Sequence, residues 1–131
     1  QLVAEGDYSP ASGYECTKKL LERGVPFTAI FAASDQMAIG ALRALLDAGR
    51  RVPDDVAVIG LDNNFPSTLV SPSLSSVDLP KHAMGQAAME LLLRRLEDPD
   101  APAKIVSLPT RLVVRRSTDP AGDDQWMLTG W

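Results

Sequence analysis

The sequence holds one cysteine and one histidine, and those two scarcities remove whole classes of chemistry. Cys16 has no second thiol with which to form an internal disulfide, which fits a reducing compartment. A single His and a single Cys argue against a metal centre built from such ligands, and no cofactor is implied. There is no run of about 18 apolar residues, so no helix of this chain is expected to span a membrane. Positive charge is also short. Thirteen Lys and Arg against 17 Asp and Glu give a net charge of −4, so the chain itself lacks the basic face that a nucleic-acid backbone requires. The pairs Arg50-Arg51, Arg94-Arg95 and Arg115-Arg116 are scattered and read as solvated edges. The chain opens without an initiating Met or a signal-peptide pattern, and no internal repeat is visible.

What is present is a hydrophobic content of 45% in 131 residues, ample for the core of one domain or part of one. The most legible stretch is Phe27 to Asp62. Residues 27–33 form a near-continuous apolar run of strand length, as expected of a strand buried on both faces. Ser34 and Asp35 supply cap chemistry for a helix in which Met37, Ala38, Ala41, Leu42, Leu45 and Ala48 recur at helical spacing, and Gly49 ends it. Arg50 to Asp55 is a turn, and residues 56–61 are a second buried strand. A strand, helix, parallel-strand crossover puts both strand tips on one sheet edge, which places Asp35 and Asp62 side by side where open parallel sheets bind ligands. The expected fold class is therefore α/β, a parallel sheet flanked by helices.

The remaining segments follow the same grammar. Residues 1–4 could end a strand, residues 6–9 form a loop, and 12–23 a helix stopped by Gly24. Residues 63–73, with two prolines and several hydroxyl side chains, read as a long loop. Residues 74–77 form a short strand, and Pro80 starts a helix to about Leu96 whose apolar side carries Met84, Ala88, Leu91 and Leu92. Two short strands, 105–108 and 111–114, flank Pro109. From Asp119 the chain turns polar before a cluster of Trp126, Met127, Leu128 and Trp131, and 119–131 is expected to be a flexible tail.

Taken in order, GDYS with SGYE, TAIFAASDQMAIGALRAL, the Val52-Pro53-Asp54-Asp55-Val56 turn into VAVIGLDN, LSSVDLP with Met84-Gly85, and LPTRLVVRRST resemble the C-terminal half of the lactose-repressor/galactose-repressor family of bacterial transcription regulators. The resemblance covers residues 1 to about 118 and implies the C-terminal lobe of a two-lobed, periplasmic-binding-protein-like fold. It assigns 1–65 and 103–118 to that lobe and 74–97 to a segment of the N-terminal lobe. The DNA-binding headpiece, the hinge and most of the N-terminal lobe are expected to lie outside this chain, and DNA contact would be made only by that headpiece.

The resemblance also implies a small-molecule effector of the carbohydrate class and a cytoplasmic location. It places Tyr8 as the ring that stacks on the effector, Ser34 where the family often has Asn, and Asp62 as the acceptor for ligand hydroxyls. Asp35 is read as a helix cap beside the site. A homodimer is implied, with Met37, Ala41, Ala44, Leu45 and Ala48 at the interface because small side chains permit close helix approach. Two other classes compete. A sugar-binding receptor of a membrane transporter shares the two-lobed fold, and a small α/β enzyme would need Ser34, Asp35 and His82 as its reacting set. The last lacks a G-x-S-x-G elbow, so no catalytic residue is assigned.

Overall fold

The strand–helix–strand unit expected from residues 27–62 is present in the computed structural model, which describes residues 2–123. Helix α1 (Pro10–Glu22) starts with Ser9 as its cap, whose Oγ accepts the Ser12 N–H at 3.1 Å. Strand β1 (Ala29–Phe31) leads into helix α2 (Asp35–Asp47) and strand β2 (Ala57–Asp62). Helix α2 ends in two reversed hydrogen bonds, Gly49 N–H to Leu46 O at 3.0 Å and Arg50 N–H to Leu45 O at 2.9 Å, with Gly49 at φ +68°. This C-terminal arrangement needs the left-handed residue that glycine supplies without steric cost.

A short helix α3 (Pro66–Leu69), strand β3 (Ser75–Asp78), helix α4 (Lys81–Glu97) and strand β4 (Arg111–Val113) complete the elements. The sheet order is β1-β2-β3-β4. β1 pairs parallel with β2, Ile30 opposite Val58, and β2 pairs parallel with β3, Asp62 opposite Asp78. The core lies between α2 and the sheet, built from Ala38, Leu42, Leu45, Val56, Val58 and Leu74 among others. Fully burying side chains such as Leu45 and Val58 contributes roughly 1.5–3 kcal/mol each.

Helices α1 and α2 touch backbone to backbone. A Cβ on Gly13 would run into the Met37 main chain, and one on Gly40 into the Pro10 carbonyl. Within this chain Met37, Ala41, Ala44 and Leu45 are all buried, at 8%, 2%, 2% and 0% exposure. The dimer-interface role expected of these four is therefore corrected: the small residues of α2 serve packing inside the chain. Ala48, the fifth, is exposed.

Other expectations also shift. β1 is shorter than the apolar run, and Phe31 is exposed, so the strand is not buried on both faces. Residues 2–4 and 105–108 carry no strand, and the 63–73 loop contains α3. Residues 74–78 do not leave with another lobe, because β3 is hydrogen-bonded along β2.

The described residues divide into two compact units: 2–78 with 112–123, and Leu79–Arg111. The return expected at 103 thus comes at 112. In the second unit no residue of α4 is buried, and Met84, Met89, Leu92, Leu93 and Leu96 are exposed. Its C-terminal turn is tied by Arg95, whose Nη1 donates to the carbonyls of Pro99 and Ala101 at 2.7 Å each. Residues 119–123, expected within the tail, are bonded into the first unit: Asp119 N–H donates to the Arg115 carbonyl at 3.1 Å, and Ser73 Oγ to the Asp123 carbonyl at 3.2 Å. Residues 124–131, with both tryptophans, lie outside the described residues.

Candidate functional site at the strand tips

Each expected site residue sits where a strand or loop ends beside the start of α2. Tyr8 is in the loop that enters α1. Ser9 N–H donates to Asp7 Oδ1 at 3.0 Å, and Asp7 N–H donates to Ser12 Oγ at 3.1 Å, so a short polar turn sets the loop. Hydrogen bonds from Ser9 and Ser12 hold the Asp7 carboxyl down at about 2. Tyr8 is 64% exposed, and its φ is +67°.

Ser34 is the cap of α2. Its Oγ accepts the Met37 N–H at 3.1 Å and donates to the Tyr8 carbonyl at 3.3 Å. The hydroxyl is thus already engaged on both sides, and one thing it does is fix the Tyr8 loop to the helix. Asp35 occupies the first helical position. The capping role expected of Asp35 belongs to Ser34, because the Asp35 carboxylate turns toward tertiary donors. Its Oδ2 accepts the Asn64 N–H at 2.6 Å and Ser67 Oγ at 2.7 Å, and its Oδ1 accepts Ser76 Oγ at 2.6 Å. At 1% exposure it is a buried anion with charge-assisted bonds from three segments. Gly60 is required beneath it, since a Cβ there would collide with Oδ1.

Asp62 closes β2 with φ +109°, and Asn63 follows at +51°. Tyr8, Asp62 and Asn63 are the non-glycine residues at positive φ among those described. Asn tolerates this region, but an Asp at +109° is strained, and such conformations cost of order 1–3 kcal/mol unless their surroundings impose them. Two of the three ligand residues expected from sequence therefore carry the unusual backbone. The surroundings are explicit: Ser76 Oγ accepts the Asn63 N–H at 2.9 Å, and Asn63 Nδ2 donates to Asp78 Oδ1 at 3.2 Å.

Sequence reading missed Arg115. It is not a solvated edge but 8% exposed, with Nη1 donating to the Leu74 carbonyl and Nη2 to Asn63 Oδ1, both at 2.7 Å. Burial lowers its pKa from the ordinary range, and the negative charges of Asp35, Asp123 and Asp78 oppose that shift. The serines of LSSVDLP were also missed as site support. A pair of small hydroxyl residues at the mouth of a strand that registers against VIGLD was the available signal.

Two apolar recesses lie apart from Ser34 and Asp62. One of about 520 Å³ follows β1 beside residues 2–6 and includes Tyr8. The other, about 580 Å³, is framed by Ile39, Leu42, Leu46, Val70 and Pro72. Neither is lined by Ser34 or Asp62, so the polar chemistry converges at the strand tips and not in the larger hollows. His82 belongs to the second unit, and Ser34 is committed to Tyr8 and Met37.

Residues 2–118 match the periplasmic binding protein-like domain family. The chain is 42% identical over 116 residues to catabolite control protein A of Priestia megaterium, covering 88% of this chain and 35% of that protein. It is 39% identical over 117 residues to the HTH-type transcriptional repressor PurR of Mannheimia succiniciproducens, covering 89% and 35%. The solved complex of the transcriptional regulator CelR with cellobiose superposes with a TM-score of 0.80 at 39% identity, over 86% of this chain and 34% of that one. The chain spans about a third of the length of the relatives it matches. Fold, ordered motifs and these likenesses agree: the chain belongs to the lactose-repressor/galactose-repressor family, as part of its periplasmic-binding-protein-like effector-binding domain.

Proposed function

We propose that this chain is one wall of the effector site of a cytoplasmic transcriptional regulator, and that the effector is a neutral carbohydrate held by Tyr8 and Asp62. The observation that carries the reading is the positive-φ backbone at both residues, with the Tyr8 loop bonded to Ser34 and the turn after Asp62 bonded to Asp35 at the α2 N-terminus. Tyr8 presents a flat, exposed ring suited to stacking on sugar C–H groups, and Asp62 supplies a carboxylate acceptor at the tip of β2. Ser34 adds its remaining lone pair and anchors Tyr8. Asp62, Asp78 and the buried Asp35, set against the cation Arg115, leave the edge net negative, which disfavours anionic ligands. The cellobiose bound by CelR supports the sugar class.

In this reading DNA is contacted by a headpiece outside the chain, effector binding shifts an equilibrium between lobe arrangements, and no reaction is catalysed. The bare apolar helix α4 belongs to the second lobe and is covered there. A second copy of the protein packs on the recess whose rim is Ile39, Leu46 and Val70 beside α2, with Leu46 66% and Leu69 57% exposed. The transporter-receptor reading is weaker, because the named relatives are transcriptional regulators. Calorimetric titration of the complete regulator with a panel of mono- and disaccharides that includes cellobiose tests the proposal. Saturable binding of a neutral sugar is expected; binding confined to anionic metabolites would overturn it.

A further inference from the structure

A turn made of two consecutive non-glycine residues at positive φ persists only when its neighbours over-determine it. For Asp62 and Asn63 the neighbours form two arms. From the α2 side, the Asp35 carboxylate takes the Asn64 N–H, and Ser76 Oγ, itself donating to Asp35, takes the Asn63 N–H. These bonds fix the main chain just past Asp62. From the other side comes Arg115. Its Nη1 is anchored on the Leu74 carbonyl, its own N–H donates to Ser75 Oγ at 2.7 Å, and its Nη2 reaches Asn63 Oδ1. The Asn63 amide is then held at both ends, accepting from a cation and donating to Asp78.

A buried cation is costly, and an anchor on one carbonyl does not need a guanidinium. The fork does what an ammonium cannot: it donates in two fixed directions to two separate segments. We infer that Arg115 is a positioning residue of the strand-tip site, holding the Asp62–Asn63 turn in its left-handed conformation through the Asn63 side chain. The inference deepens the assignment of Asp62 to the effector site and rests on it for its functional meaning.

Hydrogen exchange followed by NMR on this chain, without ligand, tests the clamp. The reporters are the amides of Asn63 and Asn64, bonded to Ser76 Oγ and Asp35 Oδ2, with the β1–β2 amide of Ala32 as control. In Arg115→Lys the Asn64 amide is expected to exchange about tenfold faster or more, as for a locally opened segment, with Ala32 unchanged. Asn63→Ala, which keeps Arg115 but removes its acceptor, should reproduce the effect. Asn63→Gly should not, because glycine holds φ +51° without strain and makes the clamp dispensable. It should also restore protection when combined with Arg115→Lys. If Arg115→Lys disturbs Ala32 as well, the Asn63→Ala and Asn63→Gly pair decides together with Asp78→Ala, which removes the other partner of the Asn63 amide and should leave Asn64 protected if Arg115 is the clamp. Wild-type protection of Asn64 in Asn63→Ala, or equal loss in Ala and Gly variants, overturns the inference. No sugar enters this experiment, so its failure is separate from a failure of the effector assignment, which calorimetry judges.

Discussion

Ser76 Oγ donates to Asp35 Oδ1 at 2.6 Å and accepts the Asn63 N–H at 2.9 Å, so one buried hydroxyl joins the start of α2 to the turn after β2. The link explains why an aspartate is tolerated at 1% exposure. Its charge is shared among three donors and faces the field of Arg115. Asp35→Ala should leave Asn64 N–H, Ser67 and Ser76 without their acceptor and Arg115 less compensated. Breaking a buried charged network of this kind costs about 3–5 kcal/mol. Urea denaturation should show a much lower midpoint with an unchanged slope.

The close approach of α1 and α2 gives a contrast between two glycines. Gly40→Ala must push the Pro10 carbonyl aside and should destabilise by about 1–3 kcal/mol, the usual range for overpacking. Gly85, in α4, has nothing near a Cβ position, and Gly85→Ala should stabilise by about 0.4–1 kcal/mol through helix propensity and unfolded-state entropy. Both are read from denaturation midpoints, the second from those of the Leu79–Arg111 unit.

How much of this was open to sequence reading follows from the range of each interaction. The start of α2 and the ends of α1 and α2 were legible because Ser34, Gly24 and Gly49 act on main chain within a few residues, whereas α1 begins at Pro10 under the Ser9 cap, two residues before the expected start. The place of Asp62 at the end of β2 was legible because the apolar run of a buried strand stops there. Asp35 was half-legible: its identity suits a cap, but donors 29, 32 and 41 residues away claimed the carboxylate. Arg115 was illegible for the same reason, since its partner Asn63 is 52 residues off and nothing in LVVRRST separates it from the neighbouring Arg116. Small residues on α2 announce close packing without naming the partner, and the partner is α1.

That distinction alters the expected behaviour of charged substitutions on α2. Ala44→Arg places a guanidinium in the interior and should unfold the chain rather than merely separate subunits. Leu46→Arg lies on the outward side, so it should leave the fold intact and yield monomers. Sedimentation velocity with circular dichroism on both variants checks this. A folded Ala44→Arg monomer, or a Leu46→Arg dimer of undiminished stability, would count against it.

Two exposed carboxylates set an acid limb of stability. Asp55 is held down at about 2, first by its side-chain bonds from Arg51 (Nη2 to Oδ1 at 2.7 Å, Nε to Oδ2 at 3.2 Å) and then by the Arg51 N–H, and Asp7 at about 2 by Ser9 and Ser12. Both folded values lie below the ordinary 3.8. Their contribution is therefore fully present above 3.8 and lost as pH falls toward 2, when the unfolded chain takes up protons first. Stability should decline across that window. Asp55→Asn and Asp7→Asn should each flatten the slope, and added salt should shrink the Asp55 effect because the pair is solvent-exposed.

The strand-tip assignment makes the last prediction. If Asp62 accepts hydrogen bonds from effector hydroxyls, Asp62→Ala removes a charge-assisted bond worth about 1.5–3 kcal/mol, which corresponds to a roughly ten- to hundredfold loss of affinity. The fold should survive, because Asn63, Asn64 and their partners hold the turn through their own bonds. Alanine at φ +109° is itself strained, so Asp62→Gly is the matched control: it relaxes the backbone and still lacks the carboxylate. Equal affinity loss in the Ala and Gly variants, measured by calorimetry on the complete regulator, assigns the loss to the missing acceptor. Recovery of wild-type affinity in Asp62→Gly would mean that position 62 supplies backbone shape alone, and the acceptor would then have to be sought at Asp78, its neighbour across the β2–β3 register.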